Sequence, residues 1–508
     1  MVAITIGLDV GTSGTKAIAM DAAGKLLASA LVEYPLHSPK PNWAEQDPAD
    51  WARAAHEALA QLASKIDASD VKAIGLTGQM HGSVFLDADN QVIRPALLWC
   101  DQRTAAQCDA ITSKVGAARL IDMVSNPALT GFTAPKILWL RDEEPAHYDR
   151  VRKVLLPKDY IRWVLTGEYA TDVSDASGTL LLDVKNRCWH KELLGILDID
   201  PSFLPPTFEG TEVTGTLSKA AAEKTGLPAG IPVVAGGGDQ AAGGVGCGIV
   251  SGGVVSASMG TSGVVFAFSE DVHTDPEGRV HTFCHAVPDK WHVMGVMLSA
   301  GGALRWFRDA LCQEEIARGK TEGKDPYEYI TAAAAEIPIG SEGLLFLPYL
   351  TGERTPHKDP HAKGAFIGLS LRHGKAHMAR AVLEGVAYGM RDSIEIIRGM
   401  GIPVTEVRAS GGGARSGLWK QILADTGRAP MVTINVDEGP SYGAAILASV
   451  AAGLYANVEE ACGAIIREVS RVDYADASAS AYDPWYAEFQ TAYGALAPGF
   501  KRAAALLG

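Results

Sequence analysis

Two carboxylates beside glycine-rich turns are the clearest candidates for reactive groups in this chain. Asp239 follows three consecutive glycines at 236–238, and Asp9 precedes Gly11-Thr12-Ser13-Gly14. Asp239 can accept a proton from a substrate hydroxyl that attacks phosphorus, with positioning and charge neutralisation supplying most of the rate. Its alternative role is to cap the helix predicted after it. Asp9 is suited to Mg²⁺ and its waters, and its alternative is to cap a turn.

The turn after Asp9 recurs near the middle of the chain. Gly260-Thr261-Ser262-Gly263 repeats the sequence of residues 11–14, and apolar runs flank both turns, which predicts two β-hairpins. The N–H groups and hydroxyls of such tips form a concave nest for phosphate oxygens, so two tips suit a nucleoside triphosphate. Recurrence at half the chain length predicts two homologous domains, residues 1–250 and 251–508, unless the turn is merely a common one.

Polar and aromatic residues near one predicted strand end are suited to a sugar. His81 can hydrogen-bond a polyol, and Met80 can lie against its carbon skeleton. An aromatic ring, an acidic group and a basic group, a mixture suited to sugars, follow at Trp99, Asp101 and Arg103. The alternatives are a structural histidine at position 81 and an ordinary surface ion pair between Asp101 and Arg103.

Composition excludes several classes of protein. The chain has 508 residues, 55 of them glycine, with 47% hydrophobic and 20% charged residues, so it can bury a sizeable core. A net charge of −14 argues against nucleic acid or an anionic membrane as partner. The seven dispersed cysteines lack Cys-x-x-Cys spacing, and the N-terminus lacks signal-peptide features. These features predict a cytoplasmic protein with reduced thiols.

The remaining pattern alternates strand and helix. Asp47-Pro48 predicts a helix start, and residues 71–77 predict a strand. A strand over 404–409 leads into a glycine-rich turn at 411–413, and the uncharged stretch 240–269 predicts a buried helix and a hairpin. The fold class is therefore α/β, with sites at strand ends. The sequence lacks a Walker motif, which argues against a P-loop nucleotide site. The glycine-rich turn at 236–241 is a poor dinucleotide site, because Asp239 inside it would repel the pyrophosphate.

Motifs over nearly the whole chain resemble the FGGY family of carbohydrate kinases. The stretches that carry the resemblance are residues 8–13, 42–48, 131–140, 348–356 and 364–369, the last followed by 377–378 and 381–384. The resemblance implies two ribonuclease-H-like domains of the actin/sugar-kinase type, with an active-site cleft between them that takes ATP and Mg²⁺. The first domain would bind the sugar and carry the first phosphate loop, and the second would bind the nucleotide.

The resemblance also implies roles for individual residues. Asp239 becomes the general base, and Asp9 becomes the carboxylate that meets Mg²⁺ through water. The ATP-binding residues implied are Gly11, Thr12, Ser13, Gly260, Thr261, Ser262, Gly411, Gly412, Gly413 and Ser416. The substrate-binding residues expected are Gln79, Met80, His81, Trp99, Asp101, Arg103, Asp239 and Gln240.

The predicted reaction is ATP-dependent phosphorylation of D-xylulose at its 5-hydroxyl. Residues 79–82 are similar to the substrate loop of the family members that act on D-xylulose, whereas glycerol kinases carry an Arg-Glu pair there. Gln240 departs from the asparagine that many of these members have, and its longer side chain leaves the exact pentulose open. The alternatives are a kinase for another ketopentose or polyol, such as ribulose or glycerol, and a non-enzymatic actin-like nucleotide switch.

The partners expected are therefore the sugar and ATP, without nucleic acid or membrane. A homodimer is compatible with the sequence, which leaves oligomeric state, regulation and domain angle open.

Overall fold

The computed structural model describes residues 3–436 and 438–506. The chain divides into two compact units, each built from three segments. Unit 1 comprises Met1–Ser251, Phe268–His292 and Glu438–Ile466, and unit 2 comprises Gly252–Ala267, Val293–Asp437 and Arg467–Gly508.

Strands and helices alternate through both units, as the sequence predicts for the α/β class. The strands are β1 (Ile4–Val10), β2 (Gly14–Asp21), β3 (Leu26–Glu33), β4 (Glu45–Gln46), β5 (Val71–Gly78), β6 (Val84–Leu86), β7 (Ala96–Leu97), β8 (Lys153–Leu155), β9 (Thr171–Asp172), β10 (Leu182–Asp183), β11 (Cys188–Trp189), β12 (Thr207–Phe208), β13 (Val213–Thr216), β14 (Pro232–Val234), β15 (Gly237–Gly238), β16 (Gly253–Met259), β17 (Gly263–Ser269), β18 (His281–Cys284), β19 (Trp291–Met297), β20 (Leu345–Leu347), β21 (Ala365–Ile367), β22 (Val404–Ser410), β23 (Met431–Ile434) and β24 (Glu468–Val472). The helices are α1 (Pro48–Ala63), α2 (Ala105–Val115), α3 (Ala117–Val124), α4 (Thr133–Glu143), α5 (Pro145–Tyr148), α6 (Pro157–Thr166), α7 (Val173–Ser177), α8 (Lys191–Leu197), α9 (Lys219–Thr225), α10 (Asp239–Gly246), α11 (Gly301–Leu311), α12 (Gln313–Glu322), α13 (Pro326–Ala335), α14 (Lys375–Gly399), α15 (Gly417–Gly427), α16 (Pro440–Ala451), α17 (Val458–Ile465) and α18 (Asp476–Ala505).

The sheet of unit 1 has the order β13-β14-β5-β1-β2-β3, with β15 beside β5. Strands β1 and β2 form an antiparallel hairpin whose tip is the first predicted turn, and β5 runs parallel to β1. Helix α1 begins as predicted, because the Asp47 side chain accepts a hydrogen bond from the Ala49 N–H and Pro48 occupies the first turn.

Glycines let helix α16 lie directly on the sheet of unit 1. A Cβ at Gly7 would stand 1.8 Å from the Ser441 carbonyl oxygen, and one at Gly75 would stand 1.9 Å from that of Ala444. Helix α10 packs on α16 in the same way, since a Cβ at Gly443 would stand 1.7 Å from the Ala242 oxygen. The glycines therefore fix how closely α10, and Asp239 at its start, approaches the sheet.

The sheet of unit 2 repeats the arrangement. Its strands run in the order β19-β17-β16-β22-β23-β24, with β16 and β17 forming the second predicted hairpin. Strand β22 runs parallel to β16, as β5 does to β1, and leads into the glycine-rich turn at 411–413. Helix α14 begins at Lys375 and spans 25 residues. In the described ranges, every helix is too short or too polar to cross a lipid bilayer.

Candidate functional site

Asp9 lies near the end of β1, opposite Lys16 of β2 and beside Thr77 of β5. Its Oδ1 atom is buried without a hydrogen-bond partner among the described residues. The pKa of Asp9 is raised to about 7, mainly by burial and also by the nearby Asp239 carboxylate, while the Lys16 ammonium lowers it. An unpartnered buried oxygen of this kind can accept a hydrogen bond from a metal-bound water.

Asp239 is the first residue of α10, and the helix cap is Gly238, without a side-chain hydrogen bond. The helix-capping alternative for Asp239 is therefore wrong. Burial raises the pKa of the Asp239 carboxyl to about 6, while hydrogen bonds from the side chain and backbone N–H of Gln240 oppose that rise. The side-chain bond joins Gln240 Nε2 to Asp239 Oδ1 at 3.4 Å. A carboxylate with a pKa in this range is ionised at neutral pH and still basic enough to accept a proton.

Gln79 faces the tip of the first hairpin. Only 1% of its surface is exposed, and its Nε2 donates to Gln46 Oε1 at 2.9 Å and to the Gly11 carbonyl at 3.3 Å. Gln46 Nε2 in turn donates to the Thr12 carbonyl at 2.7 Å, and Trp99 Nε1 donates to Thr12 Oγ1 at 3.0 Å. The geometry therefore gives Gln79 a role in holding this tip.

His81 has a left-handed backbone, with φ at 69°. Its carbonyl accepts hydrogen bonds from Lys136 Nζ at 2.8 Å and from Thr133 Oγ1 at 3.1 Å. Its Nδ1 lies 2.7 Å from the Gly178 carbonyl oxygen, so a proton on Nδ1 would make Nε2 the acceptor of the ring. Lys136 is fully buried, and burial lowers its pKa to about 7. Two donors on one carbonyl hold this strained residue in place.

Met80 connects the predicted sugar loop with the turn that precedes Asp239. Its side chain is 3% exposed, and a Cβ at Gly238 would stand 2.9 Å from Met80 Cγ and 3.0 Å from Sδ. The structure thus brings Met80 against the residue before Asp239, two positions that lie far apart in sequence.

Asp101 and Arg103 form a buried ion pair, not the surface pair that was the alternative. Arg103 Nη2 lies 2.6 Å from Asp101 Oδ2, Nη1 lies 2.7 Å from Glu45 Oε1, and the guanidinium lies 3.5 Å from the Trp43 ring centre. Asp101 Oδ2 also accepts from the Ala44 N–H at 2.7 Å. Both charges are thus engaged with protein groups and hold residues 43–45, whereas nearby Trp99 is 41% exposed.

Unit 2 contains a cavity of about 760 Å³, which is in the range of small-molecule sites. Five of the predicted nucleotide residues line it: Gly260, Thr261, Gly412, Gly413 and Ser416. Its wall also includes residues of α11 and α13 that sequence reasoning missed, among them Leu304, Arg305, Tyr327 and Thr331. Ser262 and Gly411 do not line the cavity. Gly411 is required by the turn itself, since its φ is +81° and a Cβ there would stand 2.8 Å from the Met259 carbonyl oxygen.

Other residues missed from the sequence are buried polar groups behind the loops. Gln46, Thr133 and Lys136 hold the tip at 11–12 and the loop at 81, and a group of charged residues lies in α6 and around α7. The signal that could have found them is polar residues inside runs that otherwise read as core, such as Thr133 and Lys136 within α4.

Comparison with known proteins places these features in a family context. Residues 4–246 match the N-terminal domain of the FGGY family of carbohydrate kinases, and residues 255–452 match its C-terminal domain. The chain is 43% identical over 494 residues to the xylulose kinase of Escherichia coli (strain K12), covering 97% of this chain and 99% of that protein. It is 32% identical over 458 residues to the gluconokinase of Bacillus subtilis (strain 168), covering 90% and 88%. The crystal structure of a xylulose kinase from Brucella ovis superposes on this chain with a TM-score of 0.89 at 36% identity, covering 97% of this chain and 99% of that one.

Proposed function

Because the chain belongs to the FGGY family of carbohydrate kinases, we propose that it transfers the terminal phosphoryl group of ATP to the 5-hydroxyl of D-xylulose. The observation that carries the proposal is the pair of partly desolvated carboxylates, Asp9 and Asp239, with the Met80 side chain packed against Gly238. The E. coli relative, identical at 43% of positions, supports the choice of sugar.

Asp239 acts as the general base. In its ionised form it accepts the proton of the attacking 5-hydroxyl, late in the reaction because an alcohol is a poor acid. The O–P bond to the sugar forms as the bond between the γ-phosphorus and its bridging oxygen breaks, and ADP leaves. Gln240 Nε2, which donates to Asp239, orients the carboxylate that takes the proton.

Asp9 suits the water shell of a divalent cation, since its Oδ1 is buried and unpartnered. The chemistry that Mg²⁺ supplies when bound is neutralisation of phosphate charge. The tips at 11–13 and 260–262 hold phosphate oxygens through backbone N–H groups and hydroxyls. The cavity of unit 2 takes the adenosine, with Gly412, Gly413 and Ser416 in its wall and Gly411 at the start of the same turn.

The charges of unit 1 favour a neutral sugar over an aldonate such as gluconate. Arg103 is paired with Asp101 and Glu45, and Lys136 is bonded to two carbonyl oxygens. Lys16 lies 2.5 Å from Glu438. Arg103 and Lys16 are thus paired with carboxylates, and burial lowers the pKa of Lys136 to about 7, which disfavours its charged form. None of these three groups is therefore well placed to compensate a substrate carboxylate, which is costly to bury alone.

The test is an ADP-release assay with D-xylulose, D-ribulose, glycerol and gluconate as parallel substrates. We expect the highest kcat/KM with D-xylulose and no release above background with gluconate. Release with another sugar but not with D-xylulose would contradict the substrate assignment. Absence of sugar-dependent release with all four would contradict the reaction itself.

The roles of the two domains, the cellular compartment and the oligomeric state are also proposed. The domain predicted at residues 1–250, to which the structure adds residues 268–292 and 438–466, binds the sugar and carries the first phosphate loop. The domain predicted at residues 251–508, without those two segments, binds the nucleotide. The reaction takes place in the cytoplasm, and a homodimer stays a prediction that light scattering of the purified protein can test.

A further inference from the structure

Five charged residues lie buried together in unit 1, without a part in the reaction described above. This buried ionic cluster consists of Lys158, Asp159, Arg162, Asp172 and Asp175, and each of them is at most 1% exposed. Lys158 Nζ lies 2.6 Å from Asp159, 2.8 Å from Asp172 and 3.3 Å from Asp175. Burying charges costs free energy that their mutual attraction repays only in part, so a purely structural filler would be better apolar.

One member of the cluster is connected to the turn before Asp239. Asp172 caps α7, and its Oδ2 accepts hydrogen bonds from the Ser174 N–H, at 2.7 Å, and from the Ser174 hydroxyl. Because that hydroxyl donates to Asp172, its lone pairs are available to a donor. The donor is the Gly238 N–H, 3.1 Å from Ser174 Oγ.

The segment before Asp239 has no side chains of its own, so backbone groups must hold it. Gly237 and Gly238 pair with Thr77 and Gly78 of β5, and the Gly238 N–H donates to Ser174. A Cβ at Gly236, whose φ is +75°, would stand 1.8 Å from the Leu76 carbonyl oxygen, so glycine is required there. A Cβ at Gly237 would stand 3.0 Å from the Ala286 Cβ. Packing therefore keeps this turn free of side chains, and its position depends on backbone hydrogen bonds, among them the one from the Gly238 N–H to Ser174.

We propose that Ser174 and Asp172 are positioning residues for Asp239, which rests on the proposed function in that Asp239 is taken as the base. Lys158 holds Asp172, Asp172 orients the Ser174 hydroxyl, and Ser174 fixes the Gly238 N–H at the start of α10. Reaction rates are sensitive to displacements of the reacting groups by about 1 Å, so loss of the tether acts on turnover more than on binding.

The first test is the kinetics of Ser174→Ala. We expect kcat to fall about tenfold or more, with the KM for sugar and for ATP within about twofold of wild type, because the base is displaced while the binding groups stay. Ser174→Thr keeps the hydroxyl and should recover most of the lost kcat. An unchanged kcat in Ser174→Ala would overturn the proposal.

Ser177→Ala is the matched control. Ser177 lies in the same helix, is equally buried, and its hydroxyl donates to the Val173 carbonyl and accepts from the Cys284 N–H. The Ser177→Ala variant therefore loses a comparable number of hydrogen bonds, none of which involves Gly238. If Ser177→Ala lowered kcat as much as Ser174→Ala at an equal loss of Tm, the effect would be one of stability and the positioning role would be refuted.

Hydrogen exchange gives a readout that does not depend on catalysis. In the ligand-free protein, exchange in the peptide that contains 236–240 should become at least about tenfold faster in Ser174→Ala and stay unchanged in Ser177→Ala. Unchanged exchange in Ser174→Ala would overturn the tether even if the wild type proved inactive on every sugar. An inactive wild type with the faster exchange would instead refute the proposed function and leave the tether supported.

Discussion

Replacing Asp9 with asparagine should stabilise the ligand-free protein at alkaline pH and remove its kinase activity. The Asp9 carboxylate has a buried Oδ1 without a hydrogen-bond partner and lies near the Asp239 carboxylate. Its charged form is therefore disfavoured in the folded chain. Asparagine keeps the size of the side chain and removes the charge, so the variant avoids that penalty but loses the group suited to metal-bound water.

The magnitude follows from the pKa of Asp9, which is raised from 3.8 to about 7 in the folded protein. A difference of about three pKa units corresponds to about 4 kcal/mol when the group is ionised in both states. We reduce this to about 2–3 kcal/mol because part of the side chain is exposed to solvent. A raised carboxyl pKa favours the protonated folded state, so the wild type loses this stability as pH rises from about 4 to about 7.

The assay is thermal unfolding of wild type and Asp9→Asn at pH 5 and pH 8, in the presence of a chelator. The quantity compared is the Tm of the variant minus the Tm of wild type. This difference should be at least about 3 °C larger at pH 8 than at pH 5, since about 1 kcal/mol shifts the Tm of a unit of this size by roughly 2–4 °C. Asp67→Asn is the control, because Asp67 is exposed and hydrogen bonds from Ser69 lower its pKa. An equal Tm difference at both pH values would refute the reasoning that burial penalises the Asp9 charge.

Four further predictions concern turnover and binding. Asp239→Asn should lower kcat by about 10²–10⁴-fold, with the ATP affinity measured by fluorescence titration within about threefold of wild type; wild-type turnover would remove Asp239 as the base. Because the pKa of Asp239 is raised to about 6, kcat/KM for the sugar should fall as pH drops below 6 and the carboxyl becomes protonated; a profile that stays flat down to pH 5 would contradict this. Lys136→Met removes a donor to the His81 carbonyl and should raise the KM for the sugar about tenfold while the KM for ATP stays unchanged, with Lys153→Met, at a half-buried lysine that also donates to a backbone carbonyl, as control. Equal changes in both KM values would argue against a role confined to the sugar loop. Gly412 lines the cavity of unit 2 and has open space at its Cβ, so Gly412→Leu should raise the KM for ATP and leave that for the sugar unchanged; an unaltered ATP KM would mean that adenosine does not occupy this cavity.

Short-range patterns predicted the elements that carry the site. The hairpin tips at 11–14 and 260–263 were recognised because a tight turn depends on the few residues that form it. The start of α1 at Asp47-Pro48 was recognised for the same reason, since a helix cap is a local hydrogen bond. The glycine-rich turn after β22 was likewise visible from its own residues.

Long-range packing decided what the polar side chains contact. From the sequence, Asp101 and Arg103 are predicted to be sugar ligands, with a surface pair as the alternative. The structure shows a buried pair, in which Arg103 contacts Glu45 and Trp43 from an earlier part of the sequence, and a contact with sugar stays a prediction. Gln79 reads as a sugar ligand, yet its amide is bonded to Gly11 and Gln46. Residue type and spacing do not contain these partners, because the partners come from other strands and helices.

The sequence by itself determined the types of the reactive residues, the turns that present them and the resemblance to a kinase family. Only the tertiary structure decided that Asp9 and Asp239 are both buried, which raises both pKa values, and that the Asp239 carboxylate lies close enough to raise that of Asp9 as well. The physical reason is the packing of α10 on α16, and of α16 on β1 and β5, through glycines that allow backbone contact. Residues 438–466 thereby complete the core that positions carboxylates at 9 and 239, a relation between distant segments that a local pattern does not encode.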